Sequence, residues 1–210
     1  MNLPNKLSLL RVILIPVMVA LFYVTAIPYN YLWSAVVFAV AAFTDFLDGH
    51  IARKYNLVTD FGKFIDPIAD KILVLSAFIL ILTVPNILGG GIGALFGIEC
   101  NSPEGVVLAV RFGRIAGGVG VIIIVAREMT VSVLRMIAAN KGVVLAAEKS
   151  GKIKTFTTDI AIFVLLMYGS VQVLPLYFIG LVLYIVSVGL TIYSGAFYLI
   201  KNKKLFSESM

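Results

Sequence analysis

Apolar residues along this chain gather into long runs, and the charged residues crowd into the gaps between them. A helix that is hydrophobic all round is a buried or membrane-spanning helix, not a surface helix with one wet face. A hydrocarbon core of about 30 Å takes roughly 20 apolar residues as helix, and a helix satisfies its own backbone groups without water. Six segments meet that requirement, at about 7–25, 31–52, 67–84, 116–138, 155–173 and 176–200. Tyr29-Asn30 and the stretch Val173–Pro175 supply short turns between them. The connection from Pro85 to about Ile115 is of a different kind. It holds Gly89-Gly90-Gly91, Cys100 and Asn101-Ser102-Pro103, and it reads as a long irregular excursion that could carry an interfacial helix. The first run contains Arg11 and Pro16 and has no small-residue cleavage site after it, so it reads as a retained span. The even spread of the runs, without repeats, predicts one membrane domain over residues 1–210.

Composition agrees with lipid as the solvent. Of 210 residues 60% are hydrophobic and 13% charged, with a mean hydropathy of +1.04. A soluble domain carries about 25% charged residues, so this chain cannot cover a water-facing surface. A net charge of +6 would suggest nucleic acid in a soluble protein. Here the basic residues flank the apolar runs, and no nucleic-acid partner is expected. All but Arg111 and Arg114 of the 17 basic residues fall at one side of the proposed bundle or in the half-helices leading to it. By the positive-inside rule both termini are then cytoplasmic, in agreement with an even number of spans. The single Cys100 excludes an intrachain disulfide framework and a Cys-rich metal site.

Five of the eleven acidic residues lie between Asp45 and Asp70. Asp45 and Asp48 are three apart at the end of the second run, and Asp66 and Asp70 are four apart at the start of the third. Either spacing puts a pair on one helix face. A short connection lets the two helix ends lie side by side, so the pairs can converge. Four carboxylates near lipid repel one another and are costly to desolvate, so a cation must compensate. All-oxygen ligands favour Mg²⁺ or Mn²⁺, and two such ions can clamp both sides of a phosphoryl displacement. The substrate indicated is a phosphoanhydride. Gly49 would let a bulky polar group approach the helix backbone, and Arg53, one turn on, could hold the second phosphate. Asp60 reads as a solvated loop acid and His50 as an interface residue.

Asp45, Asp48, Gly49, Ala52, Arg53, Gly62, Asp66 and Asp70 together fill the pattern D-x2-D-G-x2-A-R-x8-G-x3-D-x3-D. This resembles the signature of the CDP-alcohol phosphatidyltransferase family. The resemblance implies an all-α integral membrane protein with a six-transmembrane-helix bundle, both termini cytoplasmic, commonly a homodimer, its active site at the cytoplasmic face. It implies that Asp45, Asp48, Asp66 and Asp70 bind two divalent metal ions that grip the pyrophosphate of CDP-diacylglycerol. Asp70 would also be the catalytic base on the acceptor hydroxyl. Gly49, Arg53, Thr59 and the motif glycine Gly62 would contact the donor, and Asn5 and Ser8 would line its nucleotide pocket.

Arg127-Glu128 and Arg135 lie inside the fourth run, and Lys152 and Lys154 follow the next loop. Intramembrane arginines need anionic partners. Glu128 can pair with one, and the others could hold a phosphate on the acceptor. Asn2 to Ser8 with Arg11, Asn56-Leu57-Val58-Thr59, Gly62-Lys63-Phe64, Arg127-Glu128 and Gly151 to Thr155 are similar to the phosphatidylglycerophosphate-synthase branch of the family. That resemblance implies glycerol 3-phosphate as acceptor and a bacterial cytoplasmic membrane as location. Thr158 stands where that branch often has Gln. The rival readings are a sister transferase using inositol phosphate, serine or phosphatidylglycerol, and, more distantly, a divalent-cation transporter. The transporter reading lacks the repeats and broken helices that such folds often show.

Overall fold

The computed structural model describes residues 2–55, 60–84, 87–89, 92, 102–140 and 149–201. Within them the chain forms six long helices and no strand: α1 (Leu3–Tyr23), α2 (Asn30–Lys54), α3 (Asp60–Thr83), α4 (Pro103–Asn140), α5 (Lys149–Val171) and α6 (Leu174–Lys201). Prolines mark several starts. Pro4 lies in the first turn of α1, and Pro103 and Pro175 open α4 and α6, where a missing N–H removes no helical hydrogen bond. The turns fall where the sequence places them. Tyr29 adopts φ 57° before α2 and Gln172 φ 51° before α6, left-handed conformations that reverse the chain in few residues. The Asn30 side-chain amide donates to the Phe22 carbonyl at 2.6 Å, tying the end of α1 to the start of α2.

Two elements differ from the expected bounds. α4 runs for 38 residues from Pro103, so Arg111 and Arg114 lie on a helix and not in an irregular connection. The local start signal explains this. Ser102 Oγ accepts the Gly105 N–H at 3.0 Å, with Pro103 and Glu104 in the first turn. At 1.5 Å per residue such a helix is about 57 Å long and outruns the hydrocarbon. α3 begins at Asp60 and carries Pro67 inside it. Only one backbone bond is forfeited there, and Lys71 Nζ donates to the Pro67 carbonyl at 2.9 Å.

α1 packs chiefly on α2 and α3, α2 on α5, α5 on α6, and α4 on α6 and α3. The shared core includes Met18, Phe38, Phe78, Ile81, Ile124 and Leu165, each 1% exposed or less. Phe78 meets the Tyr184 ring edge-on at 6.0 Å, and the Tyr184 hydroxyl donates to the Gly117 carbonyl at 2.5 Å, joining α6 to α4. α4 approaches its neighbour closely at Gly113, where a Cβ would sit 1.8 Å from the Gly89 carbonyl oxygen.

Large apolar side chains also cover the outside: Ile13, Phe43, Ile122, Phe156 and Ile200 are all more than half exposed. A soluble monomer does not present apolar surface on this scale. α1, α4, α5 and α6 each contain a stretch long and apolar enough to cross a membrane. The chain is a multi-pass, all-helical membrane protein.

Candidate active site

Successive long helices that alternate in direction bring the start of α1, the end of α2, the start of α3, the end of α4 and the start of α5 to one end of the bundle. Of the charged side chains of the sequence motifs, Asp45, Asp66, Asp70, Glu128 and Lys154 lie there. Asp45, near the end of α2, pairs with Arg11 Nη1 of α1 at 2.8 Å. Arg11 is fully buried, while the Asp45 side chain is 44% exposed. A buried guanidinium is stable in such a place only with an anionic partner. Ser8, one turn earlier on α1 and also buried, donates its hydroxyl to Asp66 of α3. Asp45 and Asp66 lie within coulombic reach of each other, and Asp70 within reach of Asp45, Glu128 and Arg11. Three of the four motif aspartates thus face a common region between α1, α2 and α3.

Asp48, Gly49 and Arg53 belong to α2, and their side chains lie outside what the structure describes. Thr59 also lies outside the described residues. Asn5 and Gly62 are both buried, on α1 and α3. Among the described residues no three acids are gathered closely enough to cage a metal ion. The donor set facing the region is all carboxylate and hydroxyl oxygen, which fits hard divalent cations. Arg11 and the Ser8 hydroxyl hold Asp45 and Asp66 in place from the side of α1.

A pocket opens beside this region, between α3, α4 and α5. Its polar lining is Asp70, Lys71, Glu128, Lys154, Thr155, Thr158 and Asp159, with Val74 and Ile124 among its apolar side chains. Glu128 Oε1 organises the basic side. It accepts from Arg127 Nη1 at 2.9 Å and from Lys154 Nζ. Lys154 is only 2% exposed, so its amine is held in the protein interior against the Glu128 carboxylate. Arg127 is accommodated by missing side chains: a Cβ on Gly195 of α6 would stand 3.0 Å from Arg127 Cγ.

The four basic residues expected to hold an acceptor phosphate divide into two pairs. Arg127 and Lys154 converge on Glu128. Arg135 is exposed, and its guanidinium lies 5.9 Å from the centre of the Tyr198 ring on α6, away from the pocket. Lys152 is exposed on α5. Helical geometry accounts for the split, because eight residues carry Arg135 about 12 Å along α4 and some 80° round it from Arg127. Sequence reasoning missed two members of the site. Arg11 entered as a charge and as part of the family resemblance but was given no role in the site, and Asp159 was passed over. Both are lone charges inside apolar runs, and that is the signal that marks an intramembrane functional residue.

The family model described as CDP-alcohol phosphatidyltransferase matches residues 1–193. The chain is 36% identical to the CDP-diacylglycerol–glycerol-3-phosphate 3-phosphatidyltransferase of Bacillus subtilis (strain 168), over 99% of this chain and 98% of that one. The protein of the same name from Rickettsia felis is 34% identical, over 98% of this chain and 97% of its own length. A plant relative, CDP-diacylglycerol–glycerol-3-phosphate 3-phosphatidyltransferase 2 of Arabidopsis thaliana, is 36% identical over 95% of this chain and 79% of its own.

Proposed function

The chain belongs to the CDP-alcohol phosphatidyltransferase family, and from that premise we propose that it transfers the phosphatidyl group of CDP-diacylglycerol to sn-glycerol 3-phosphate, giving phosphatidylglycerophosphate and CMP. One observation carries the acceptor side of this reading. A single open pocket is lined both by Asp70 of the acidic motif and by the buried Lys154, so a hydroxyl and a phosphate of one small molecule could be held at once. The names of the relatives from Bacillus subtilis and Rickettsia felis support the same acceptor.

In this reading Asp45, Asp48, Asp66 and Asp70 hold two divalent ions, Mg²⁺ or Mn²⁺. When bound, such ions neutralise the pyrophosphate oxygens and stabilise the CMP leaving group. Asn5, Ser8, Gly49, Arg53, Thr59 and Gly62 face the CDP moiety. Ser8 and Arg11 orient Asp66 and Asp45, the roles their hydrogen bond and ion pair suit them for. Arg127 and Lys154 bind the acceptor phosphate, exchanging part of their contact with Glu128 for it. Arg135 and Lys152, expected to join them, contribute only general positive charge to this face. Asp70 takes the proton of the attacking hydroxyl, whose oxygen bonds to the phosphorus bearing diacylglycerol as the bond from that phosphorus to CMP breaks. A base must reach that proton directly, and Asp70 lines the pocket where the hydroxyl would lie.

Topology follows from charge. α2 and α3 also cross the bilayer in this proposal, making six spans, with both termini and the active end in the cytoplasm of a bacterial cell. The active unit is a homodimer, by the family resemblance, and cross-linking in the membrane tests it. The deciding assay is CMP release by purified protein with CDP-diacylglycerol and Mn²⁺, comparing glycerol 3-phosphate, inositol phosphate, serine and phosphatidylglycerol. Release with glycerol 3-phosphate alone, abolished by chelator and restored by metal, is the expected result. Equal release with another acceptor would overturn the acceptor assignment.

A further inference from the structure

Asp159 is the acid in the pocket to which neither the motif nor the proposed reaction gives a task. It sits on α5 one turn after Thr155 and shares the pocket lining with Asp70 and Lys154. The neighbouring polar groups are already engaged. Lys154 Nζ donates to Glu128, Thr155 Oγ1 donates to the Gly151 carbonyl at 3.1 Å, and Thr158 Oγ1 bonds to the Lys154 carbonyl and to Ser187. Among the described residues the Asp159 carboxylate makes no hydrogen bond or ion pair. The Asp159 side chain is half-buried at an open pocket, so its oxygens are free to accept from a bound molecule, and it is within electrostatic reach of both Asp70 and Lys154. Nor do the described acids form a metal cage that would include it.

The acceptor has a donor to spare. On glycerol 3-phosphate the phosphate answers Lys154 and Arg127, and one hydroxyl is attacked. The second hydroxyl is on the adjacent carbon, so whatever receives it must line the same small pocket as the base. We propose that Asp159 is a specificity-determining residue whose carboxylate accepts a hydrogen bond from the acceptor hydroxyl that is not phosphatidylated, so that the pocket selects a phosphorylated vicinal diol over a phosphorylated mono-alcohol. The inference rests on the glycerol 3-phosphate reading above and extends it from the reacting group to its neighbour.

The test compares glycerol 3-phosphate with 3-hydroxypropyl phosphate, which keeps the reacting hydroxyl and the phosphate and lacks the middle hydroxyl. CMP release is measured with CDP-diacylglycerol and Mn²⁺ on the full chain in detergent. Wild-type protein is expected to prefer glycerol 3-phosphate in kcat/KM by about a hundredfold, since a site built to bond a hydroxyl discriminates strongly against its loss. Asp159→Ala should lower kcat/KM for glycerol 3-phosphate by about ten- to a hundredfold and leave the mono-alcohol unchanged, collapsing the preference. Asp159→Asn keeps the shape and one carbonyl acceptor, and should show a partial collapse if the alanine variant does not fold. An equal fall with both acceptors, or an unchanged preference in both variants, would overturn the proposal. Wild-type protein inactive with glycerol 3-phosphate but active with inositol phosphate or serine would instead strike the acceptor reading, and this inference with it.

Discussion

Asp45 and Asp70 belong to one motif yet are held differently, and their substitution should separate stability from turnover. Asp45 pairs with a fully buried guanidinium, so Asp45→Asn removes that ion pair. Unfolding free energy is expected to fall by about 1–3 kcal/mol, read as a drop of several degrees in apparent Tm in detergent. Asp70 has no ion pair among the described residues, and Asp70→Asn should keep that Tm while losing all but a few per cent of CMP release. CDP-diacylglycerol binding should persist in this variant. Retention of more than that rate would remove Asp70 as the base. On the acceptor side, Lys154→Gln is expected to raise the KM for glycerol 3-phosphate at least tenfold, while Arg135→Gln changes it less than threefold. Arg135 stands over Tyr198 instead of in the pocket. Steady-state kinetics with glycerol 3-phosphate as the varied substrate checks both.

Two helix contacts depend on the absence of a side chain. At Gly113 of α4 a Cβ would run into the backbone of Gly89, whereas at Gly118 of the same helix nothing lies within 4 Å. Gly113→Ala should therefore lower the apparent Tm, and Gly118→Ala should leave it unchanged or raise it by the helix propensity gained, about 0.5–1 kcal/mol. Thermal unfolding of the pair decides it. The opposite order would show that α4 does not pack on Gly89. Gly195 on α6 lies against the Arg127 stem. Gly195→Leu should raise the KM for glycerol 3-phosphate without altering that for CDP-diacylglycerol, because it displaces only the basic side of the pocket.

For the molecule as a whole, the strongest expectation is its orientation in the bilayer. Cys100 is the only cysteine, so a Cys100→Ala background allows single cysteines to be placed at will. Asn2→Cys should react with a membrane-impermeant thiol reagent only when the cytoplasmic face is exposed, and Gln172→Cys only from the opposite face. Labelling of both from one side would refute the alternating six-span arrangement. The alternation also explains why five helix ends from distant parts of the chain can share one active region.

Much of this was legible in sequence because it depends on local chemistry. The apolar runs located α1, α2, α5 and α6 closely, since lipid burial needs no knowledge of distant contacts, and the spaced aspartates marked where acidic side chains of α2 and α3 come near one another. The start of α4 was written in Ser102-Pro103-Glu104 but was outweighed by the glycines before it. Tertiary structure alone decided which charges meet. Arg11 reaches Asp45 across 34 positions, Lys154 reaches Glu128 across 26, and Arg135 turns to Tyr198 although it shares a helix with Arg127. Such pairings depend on the rotation and depth of packed helices, which burial and small residues on neighbouring segments set jointly. A helical period within one segment cannot specify them.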